Sequence, residues 1–302
     1  MTSSPLAEAT LLLGDLAQRN VPLGPLTTYR VGGPASLLVE LVDDATVART
    51  RAAVMATGVE VLVVGRGSNL LVADRGFHGL ALVLGGDFAA IDVRGSERVV
   101  AGAAVSLPVL ARRVAAAGLR GFEWAVGVPG SVGGAVRMNA GGHGSDMSRS
   151  LVRYRFADLR GGSDGDAGPD RLRYAYRHST LEAHQVVLEA EFQLVEGDRA
   201  EAEAEIAEIV RWRRANQPGG QNAGSVFTNP PGASAGRLID SIGLKGHRRG
   251  SAFVSPKHAN FFQADAGGSA DDVRDLIEEV RQRVEVETGI RLVPELRMVG
   301  FS

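Results

Sequence analysis

The sequence lacks several features, and each absence removes a class of function. Cysteine is absent from the 302 residues, which excludes disulfides, thiolate metal sites and a cysteine nucleophile. The 33 basic and 35 acidic residues leave a net charge of -2, so nothing attracts the chain generally to nucleic acid or anionic membranes. Residues 1–20 contain only a short apolar run, Leu11–Leu13, far below a signal-peptide core or a membrane span. We therefore expect a cytoplasmic protein that binds neither nucleic acid nor membranes.

Lysine is scarce as well. Only Lys245 and Lys257 are lysines, and every other basic side chain is arginine. Both lysines fall in the last third of the chain, which indicates a need there for a compact ammonium group near an anionic ligand. Chance placement is the alternative, with odds of roughly one in nine by simple counting. No two histidines have the spacing of metal ligands, so we predict no catalytic metal.

The order of apolar patterns is typical of a mixed α+β protein. The patterns predict a helix over residues 6–18 and a charged helix over 199–215, with a polar loop over 161–168. A turn-rich linker, 217–222, follows the charged helix, and we place the domain boundary in this part of the chain. The predicted domains are 1–210, with subdomains of about 1–85 and 86–210, and 211–302.

A first glycine loop, residues 65–69 (GRGSN), follows an apolar strand. It is not a dinucleotide fingerprint, because Leu70 stands where a third glycine would be and begins a strand instead of a helix. Closely spaced glycines let consecutive backbone N–H groups turn toward one anion, which favours a diphosphate as the ligand. A plain tight hairpin is the alternative.

A second glycine-rich stretch spans residues 127–144. So much glycine is costly in chain entropy, and such segments commonly let a backbone approach a flat or phosphorylated ligand closely. The interleaved apolar residues, such as Val132 and Val136, argue against a flexible surface loop. Two such stretches in one domain indicate a large cofactor.

These stretches belong to a longer series of motifs. The motifs are TTYRVGGPA (27–35), GRGSNLL (65–71), GVPGSVGGAVRMNAGG (127–142), YRHS (176–179), NAGSVF (222–227), SPKHANF (255–261) and LVPE (292–295). Together they resemble the UDP-N-acetylenolpyruvoylglucosamine reductase family, in its shorter type. The resemblance runs from about residue 22 to residue 300 and is specific because the motifs occur in the same order and spacing.

The resemblance implies an α+β fold. It consists of a two-subdomain FAD-binding module of the vanillyl-alcohol-oxidase/PCMH type and a C-terminal substrate domain of the family's own type. The FAD is expected to be non-covalent, because the first loop offers Ser68 where related oxidases have a histidine. The residues expected to bind FAD are Thr28, Arg30, Gly65, Arg66, Gly67, Ser68, Asn69, Gly127, Pro129, Gly130, Ser131, Gly133, Gly134, Asn139, Ala140 and Gly141.

The activity implied by the family is reduction of UDP-N-acetylglucosamine enolpyruvate to UDP-N-acetylmuramate in peptidoglycan synthesis. NADPH, the co-substrate, gives a hydride to FAD, which passes it to the substrate. The family resemblance implies that Arg177 and Glu295 stabilise the negative charge that develops on the substrate, and that Ser225 delivers the proton. It also predicts substrate contacts from Tyr176, Asn229, Lys257 and His258, and we expect a monomer.

Two positions depart from the family pattern. Thr228 stands where the family usually has lysine, and His143 stands where an aromatic residue is common. Two other functions remain as alternatives: a flavin oxidase of the same fold acting on a sugar or hydroxy acid, and a non-enzymatic protein that binds a nucleotide sugar.

Overall fold

The computed structural model describes residues 4–161 and 164–301, and its chain forms two compact units. The first unit contains the residues up to Arg19, 36–66 and 79–212, and the second contains 20–35, 67–78 and the residues from Arg213 onward. The last segment of the second unit begins two residues after the predicted boundary at 211. Two earlier segments, which the sequence analysis assigned to the FAD-binding domain, also belong to the second unit.

The helices and strands alternate along the chain as expected for an α+β protein. The helices are α1 (Pro5–Leu13), α2 (Asp44–Thr57), α3 (Leu107–Ala116), α4 (Val132–Met138), α5 (Arg199–Asn216), α6 (Ala235–Ser241) and α7 (Ala270–Thr288). The strands are β1 (Ala17–Pro22), β2 (Pro34–Leu41), β3 (Val61–Val63), β4 (Leu70–Val72), β5 (Phe77–Leu84), β6 (Ile91–Arg94), β7 (Arg98–Gly102), β8 (Leu119–Arg120), β9 (Gly141–Gly142), β10 (Ser145–Asp146), β11 (Leu151–Asp158), β12 (Asp164–Ala167), β13 (Gln185–Gln193), β14 (Val195–Glu196), β15 (Arg248–Arg249), β16 (Ala252–Val254), β17 (Phe262–Ala264) and β18 (Arg297–Val299).

Three local predictions need correction. Gly14 has φ +55° and ends α1 at Leu13, so the predicted helix over 6–18 is too long, and β1 takes its last residues. The predicted polar loop over 161–168 contains β12, which pairs antiparallel with β11, although residues 162 and 163 lie outside the described part. The second glycine-rich stretch contains α4, which the sequence analysis did not predict.

Two sheets and two buried apolar clusters organise the first unit. A four-stranded sheet has the order β1-β2-β5-β3, and its cluster includes Leu41, Val54 and Leu82. A five-stranded antiparallel sheet has the order β12-β11-β13-β7-β6. Its cluster is built around Phe122, whose ring centroid lies 5.0 Å from that of Phe192. The second glycine-rich stretch begins next to this aromatic cluster.

The second unit is centred on α7, whose apolar stripe is buried against the sheet β15-β16-β17. The helix is capped twice at its N-terminus. The Ser269 hydroxyl accepts a hydrogen bond from the Asp272 N–H, and the Asp74 carboxylate accepts one from the Ala270 N–H at 2.9 Å. The Asp272 carboxylate accepts hydrogen bonds from the Ser251 N–H and hydroxyl instead of one from the Ser269 N–H, so only half of a capping box forms.

Candidate active site

A cavity of about 160 Å³ lies in the first unit where both glycine-rich stretches meet. Gly65 and Arg66 line it from the end of β3, and Ser131, Gly133 and Gly134 line it from the start of α4. The five residues were all predicted to contact FAD, and the structure brings them together around one cavity.

Glycine at this junction allows the backbones to approach each other closely. A Cβ atom on Gly65 would lie 2.6 Å from the Ser131 Oγ, and one on Gly133 would lie 2.8 Å from the Ala103 Cβ. Neither position therefore has room for a side chain, whereas a Cβ on Gly134 would lie 3.4 Å from the Ser131 Oγ. Glycines at these places in the cavity wall leave room for a flat or phosphorylated ligand to approach the backbone closely.

The two stretches differ in what their backbone N–H groups bind. In the second stretch, the N–H of Val132 donates to the Val105 carbonyl at 2.8 Å, and that of Gly133 donates to the Ala103 carbonyl at 3.0 Å. The Gly134 N–H donates to the Ser131 Oγ at 3.3 Å. These bonds fix the stretch against the chain after β7 and leave it to act by close approach.

The first glycine loop differs from the second stretch in the hydrogen bonding of its backbone N–H groups. Among residues 4–161 and 164–301, no protein acceptor takes a hydrogen bond from the backbone N–H of any residue from Gly65 to Asn69. Gly67 has φ +60°, which a side chain would strain. Unsatisfied consecutive donors are what an anion such as a diphosphate requires, so the residues present fit FAD at this loop.

Two predicted FAD residues, Thr28 and Arg30, lie in the second unit beside Gly67. The Thr28 N–H donates to the Gly67 carbonyl at 3.3 Å. The Arg30 N–H donates to the Thr27 Oγ1 at 3.1 Å, and Arg30 has φ +55°. This turn braces the backbone of the first loop from one side.

The segment around Arg177 is fastened to the C-terminal end of α4. The Tyr174 hydroxyl donates to the Val136 carbonyl at 2.8 Å, and the buried Ser179 hydroxyl donates to the Arg137 carbonyl. Burial raises the pKa of Tyr174 well above its ordinary value, so this hydroxyl stays a donor at neutral pH. Tyr174 and Ser179 were not predicted as site residues, and the only signal was their place in or just before the YRHS motif.

Arg177 occupies a tight turn closed by backbone hydrogen bonds between Ala175 and His178. It has φ +52°, and its Nη2 donates to the Gly141 carbonyl at 2.6 Å. Its Nη1 lies 3.4 Å from the Asn139 carbonyl. The Asn139 side-chain amide in turn donates to the Ala175 carbonyl at 3.2 Å. The predicted catalytic arginine is thus oriented by two residues predicted to bind the cofactor.

In the second unit, Ser225 and Glu295 lie on neighbouring chain segments. The Glu295 N–H donates to the Val226 carbonyl at 2.8 Å, and Phe227 forms an isolated bridge with Pro294. Val226 and Phe227 are buried, whereas Ser225 is exposed. Among the described residues, no hydrogen-bond partner contacts the Ser225 hydroxyl. Backbone hydrogen bonds therefore link the segment of the predicted proton donor to that of the predicted acid.

Asn260 holds the same segment from the other side. It is buried, and its backbone carbonyl accepts the Val226 N–H at 2.8 Å. Its side chain accepts the Phe227 N–H at 3.0 Å and donates to the Phe227 carbonyl at 2.8 Å. The sequence analysis missed this residue, although a lone amide among Ala259, Phe261 and Phe262 was a visible signal.

The predicted substrate residues have varied surroundings. Tyr176 is 64% exposed, and the Arg177 guanidinium carbon lies 4.8 Å from its ring centroid. The Asn229 Oδ1 accepts the Ala235 N–H at the start of α6 at 3.0 Å. His258 is half-buried, its Nδ1 accepts the Asn260 N–H at 3.2 Å, and burial lowers its pKa.

Both lysines have protein partners. The Lys245 ammonium lies 2.7 Å from the Asp240 carboxylate, and the Lys257 ammonium donates to the Arg214 carbonyl in the last turn of α5. A cation at a helix C-terminus is a common stabilising arrangement. The structure thus gives each lysine a local role beside the ligand contact predicted from its rarity.

The two departures from the family pattern are both accommodated locally. The Thr228 hydroxyl donates to the Val293 carbonyl at 3.3 Å, and its N–H donates to the same carbonyl at 3.0 Å. The His143 ring packs edge-on against Trp212, with 5.2 Å between centroids. Thr228 therefore adds a tie between the Ser225 and Glu295 segments, and His143 keeps an aromatic contact.

Comparison with known families and proteins agrees with this geometry. Residues 35–163 match a family described as an FAD binding domain. Residues 216–299 match the C-terminal domain of UDP-N-acetylenolpyruvoylglucosamine reductase. A protein of that name from Synechococcus sp. (strain WH7803) is 42% identical over 291 residues, covering 94% of each chain. The chain belongs to the UDP-N-acetylenolpyruvoylglucosamine reductase family.

Solved structures support the same assignment. The crystal structure of UDP-N-acetylenolpyruvylglucosamine reductase from Thermus caldophilus is similar with a TM-score of 0.82 and 36% identity, covering 94% of this chain and 99% of that one. A berberine bridge enzyme variant shares the fold alone, with a TM-score of 0.50 and 11% identity over 65% of this chain and 44% of that one. The predicted family, fold class and FAD cofactor are confirmed.

The described part of the chain bears on the membrane and metal predictions. Within it, no helix is both long and apolar enough to cross a bilayer. In that same part, no three His, Asp or Glu residues are grouped so that they could hold a metal ion.

Proposed function

We propose that this protein reduces UDP-N-acetylglucosamine enolpyruvate to UDP-N-acetylmuramate with electrons from NADPH, a step in peptidoglycan precursor synthesis. One observation carries the proposal: 42% identity along 94% of the chain with a UDP-N-acetylenolpyruvoylglucosamine reductase that has the same extent. The enzyme is an FAD-dependent oxidoreductase, and its substrate class is a nucleotide sugar.

When bound, FAD would accept a hydride from NADPH and deliver it to the terminal carbon of the substrate's double bond. The first glycine loop would hold the diphosphate with its unsatisfied N–H groups, and the glycines beside Ser131 would admit the cofactor to the cavity. No histidine lies in residues 65–69, which supports a non-covalent cofactor. The other cofactor contacts predicted from the family, including Gly127, Pro129, Gly130 and Ala140, belong to this proposal.

Arg177 would bind the substrate carboxylate, on which negative charge builds after hydride transfer. A guanidinium stays charged and can form parallel hydrogen bonds with a carboxylate. The carbonyls of Asn139 and Gly141 orient its plane before substrate arrives, which lowers the cost of ordering it during the reaction.

Ser225 would donate the proton that completes the reduction. Its exposed hydroxyl is not engaged by any described residue, so the proton is available to a substrate carbon. Because a hydroxyl is a weak acid, the transfer depends on close placement against a strongly basic carbanion. Glu295, on the adjacent segment, would act beside it as a neutral donor or as part of a proton relay.

The remaining assignments belong to the same proposal. The substrate would contact Tyr176, Asn229, Lys257 and His258. The FAD-binding domain would span residues 1–210 and the substrate domain residues 211–302. The proposal includes a monomer in the cytoplasm. The near balance of charge, -2 in total, supports the absence of nucleic-acid and membrane partners.

An anaerobic titration tests the function directly. The purified protein is reduced with NADPH until the flavin absorbance bleaches, and UDP-N-acetylglucosamine enolpyruvate is then added. Stoichiometric return of the absorbance is the expected result. Bleached flavin that returns only with oxygen would instead support the sugar-oxidase alternative, and colourless protein that cannot be reconstituted with FAD would support a non-enzymatic binding protein.

A further inference from the structure

The segment from Ser225 to Thr228 is held between two others. On one side, residues 293–295 bind it through the N–H groups of Thr228 and Glu295. On the other side, backbone pairing is limited to the Val226 N–H and an isolated bridge between Ser225 and Phe261. Phe227 would therefore lack backbone partners on that side.

The Asn260 side chain supplies the missing partners. Its amide accepts the Phe227 N–H and donates to the Phe227 carbonyl, so it replaces one rung of an antiparallel ladder. Only a group that donates and accepts in one plane can do this, and the primary amide is such a group. Because Asn260 is buried, water does not substitute for it.

Asn260 also reaches the two predicted reacting groups through one residue. Its backbone carbonyl binds the Val226 N–H at 2.8 Å, and the Val226 carbonyl binds the Glu295 N–H at 2.8 Å. Ser225 precedes Val226 directly in the chain. Displacement of Asn260 would therefore move both groups.

We propose that Asn260 is a positioning residue, which fixes the placement of Ser225 and Glu295 through the peptide groups of Val226 and Phe227. The proposal rests on the proposed function, because it concerns the placement of the proton donor in that reaction. It predicts an effect on the proton-delivering half-reaction and none on flavin reduction.

The variant Asn260→Asp separates this role from simple packing. Aspartate has nearly the same shape, and its ionised carboxylate can still accept the Phe227 N–H but opposes the Phe227 carbonyl. A protonated carboxyl donates and accepts as the amide does, and burial favours the protonated form. The defect should therefore diminish as the pH falls. His258, which accepts the Asn260 N–H, titrates in both proteins. The quantity to compare is therefore the reoxidation rate of the variant divided by that of the wild type at each pH.

The experiment measures both half-reactions by stopped flow on the FAD-loaded proteins between about pH 6 and pH 8. For Asn260→Asp we expect unchanged flavin reduction by NADPH and a reoxidation by substrate slowed about 10- to 100-fold at the upper pH, as for a displaced reacting group. The substrate dissociation constant should stay within about twofold of the wild-type value. The reoxidation rate of the variant relative to wild type should recover at the lower pH. Asn260→Ser, which is neutral and too short to bind both Phe227 groups, should be slowed without recovery. Asn20→Asp is the charge control, since Asn20 is exposed and aspartate tolerates its left-handed φ of +50°.

A double-mutant cycle completes the test. If Asn260 acts through Ser225, then Asn260→Asp should slow a Ser225→Ala enzyme little further. Wild-type reoxidation rates in Asn260→Asp and Asn260→Ser, or equal slowing of both half-reactions, would overturn the positioning role. Failure of wild-type enzyme to be reoxidised by the enolpyruvyl substrate would overturn the proposed function instead, so the two failures are distinct. If Asn260→Asp does not fold, the Asn260→Ser rates and their cycle with Ser225→Ala decide the question.

Discussion

The side-chain amide of Asn69 donates a hydrogen bond to the backbone carbonyl of Glu295, with 3.2 Å between Nδ2 and O. The Arg297 N–H returns a bond to the Asn69 carbonyl at 3.1 Å, and β4 and β18 then pair in parallel from Leu70 and Arg297 onward. In the second unit, hydrogen bonds thus join the segment of Asn69, predicted to bind the cofactor, to that of Glu295, predicted to act in catalysis.

Asn69→Leu should therefore slow reoxidation by substrate as well as weaken FAD binding. The lost hydrogen bond is worth about 0.5–1.5 kcal/mol net, which corresponds to a reoxidation rate lowered roughly 2- to 10-fold. Stopped-flow reoxidation at saturating FAD measures the first effect. Ser68→Ala, which alters the same loop without touching Glu295, is the control, and an equal slowing in both variants would contradict the link.

Ser225→Ala should separate the half-reactions. Flavin reduction by NADPH should be nearly unchanged, because the serine acts only after hydride transfer to substrate. Reoxidation should slow about 10²- to 10⁴-fold, or roughly 3 to 5 kcal/mol of barrier. Comparable slowing of both half-reactions would mean that Ser225 is structural or binds the cofactor, and Glu295 would become the first candidate for the proton donor.

Arg177→Lys should impair the same second half-reaction. An ammonium cannot bind the Asn139 and Gly141 carbonyls while offering a carboxylate two parallel hydrogen bonds. Arg173→Lys is a matched control, since Arg173 is exposed and also has a left-handed φ. Reoxidation rates at saturating substrate should fall only in Arg177→Lys, and wild-type rates there would remove Arg177 from the proposed site.

Gly134→Leu should expel FAD without unfolding the chain. Its Cβ has ordinary contact distance to the Ser131 Oγ, leucine favours a helix over glycine by about 1 kcal/mol, and the side chain would enter the cavity. The flavin-to-protein absorbance ratio should drop while the melting temperature of the apo-protein holds. Gly219→Leu, which faces open space, should keep its flavin. Gly67→Val is a poorer test, because its Cβ would collide with the backbone of Leu26 and Thr27 and disturb the fold itself.

Acid should destabilise the fold through His258. Burial lowers its pKa in the folded state, so the unfolded chain binds the extra proton between an ordinary pKa of about 6.5 and the lower folded value. The free energy of unfolding should therefore fall as the pH drops through that window. Urea denaturation from about pH 8 to pH 5 measures the slope, and His258→Gln should reduce it. An unchanged slope in the variant would assign the pH dependence to other groups.

The fold class and the loops of the site follow from the sequence because their signals are local. Asp43, Thr46 and Gly58 bound α2 as capping chemistry requires, and the GRGSN loop joins two strands as Leu70 implied. The α4 helix was hidden because glycine has low helix propensity, and here tertiary hydrogen bonds from Val132 and Gly133 compensate for it. Asn260 was missed for a different reason, since its partners are backbone groups 33 residues away and no spacing rule indicates them.

The two early segments of the second unit determine when during synthesis that unit can be completed. Tyr29, Val31 and Leu71 belong to the same buried cluster as Leu292 and Leu296, and the strand partner of β4 is β18, which lies far later in the chain. A ribosome therefore releases these apolar groups long before their partners exist, and contacts this distant in sequence form slowly. A truncated polypeptide that ends before β18 would leave β4 as an unpaired strand. The apolar side chains near β4 would then stay exposed, which favours aggregation.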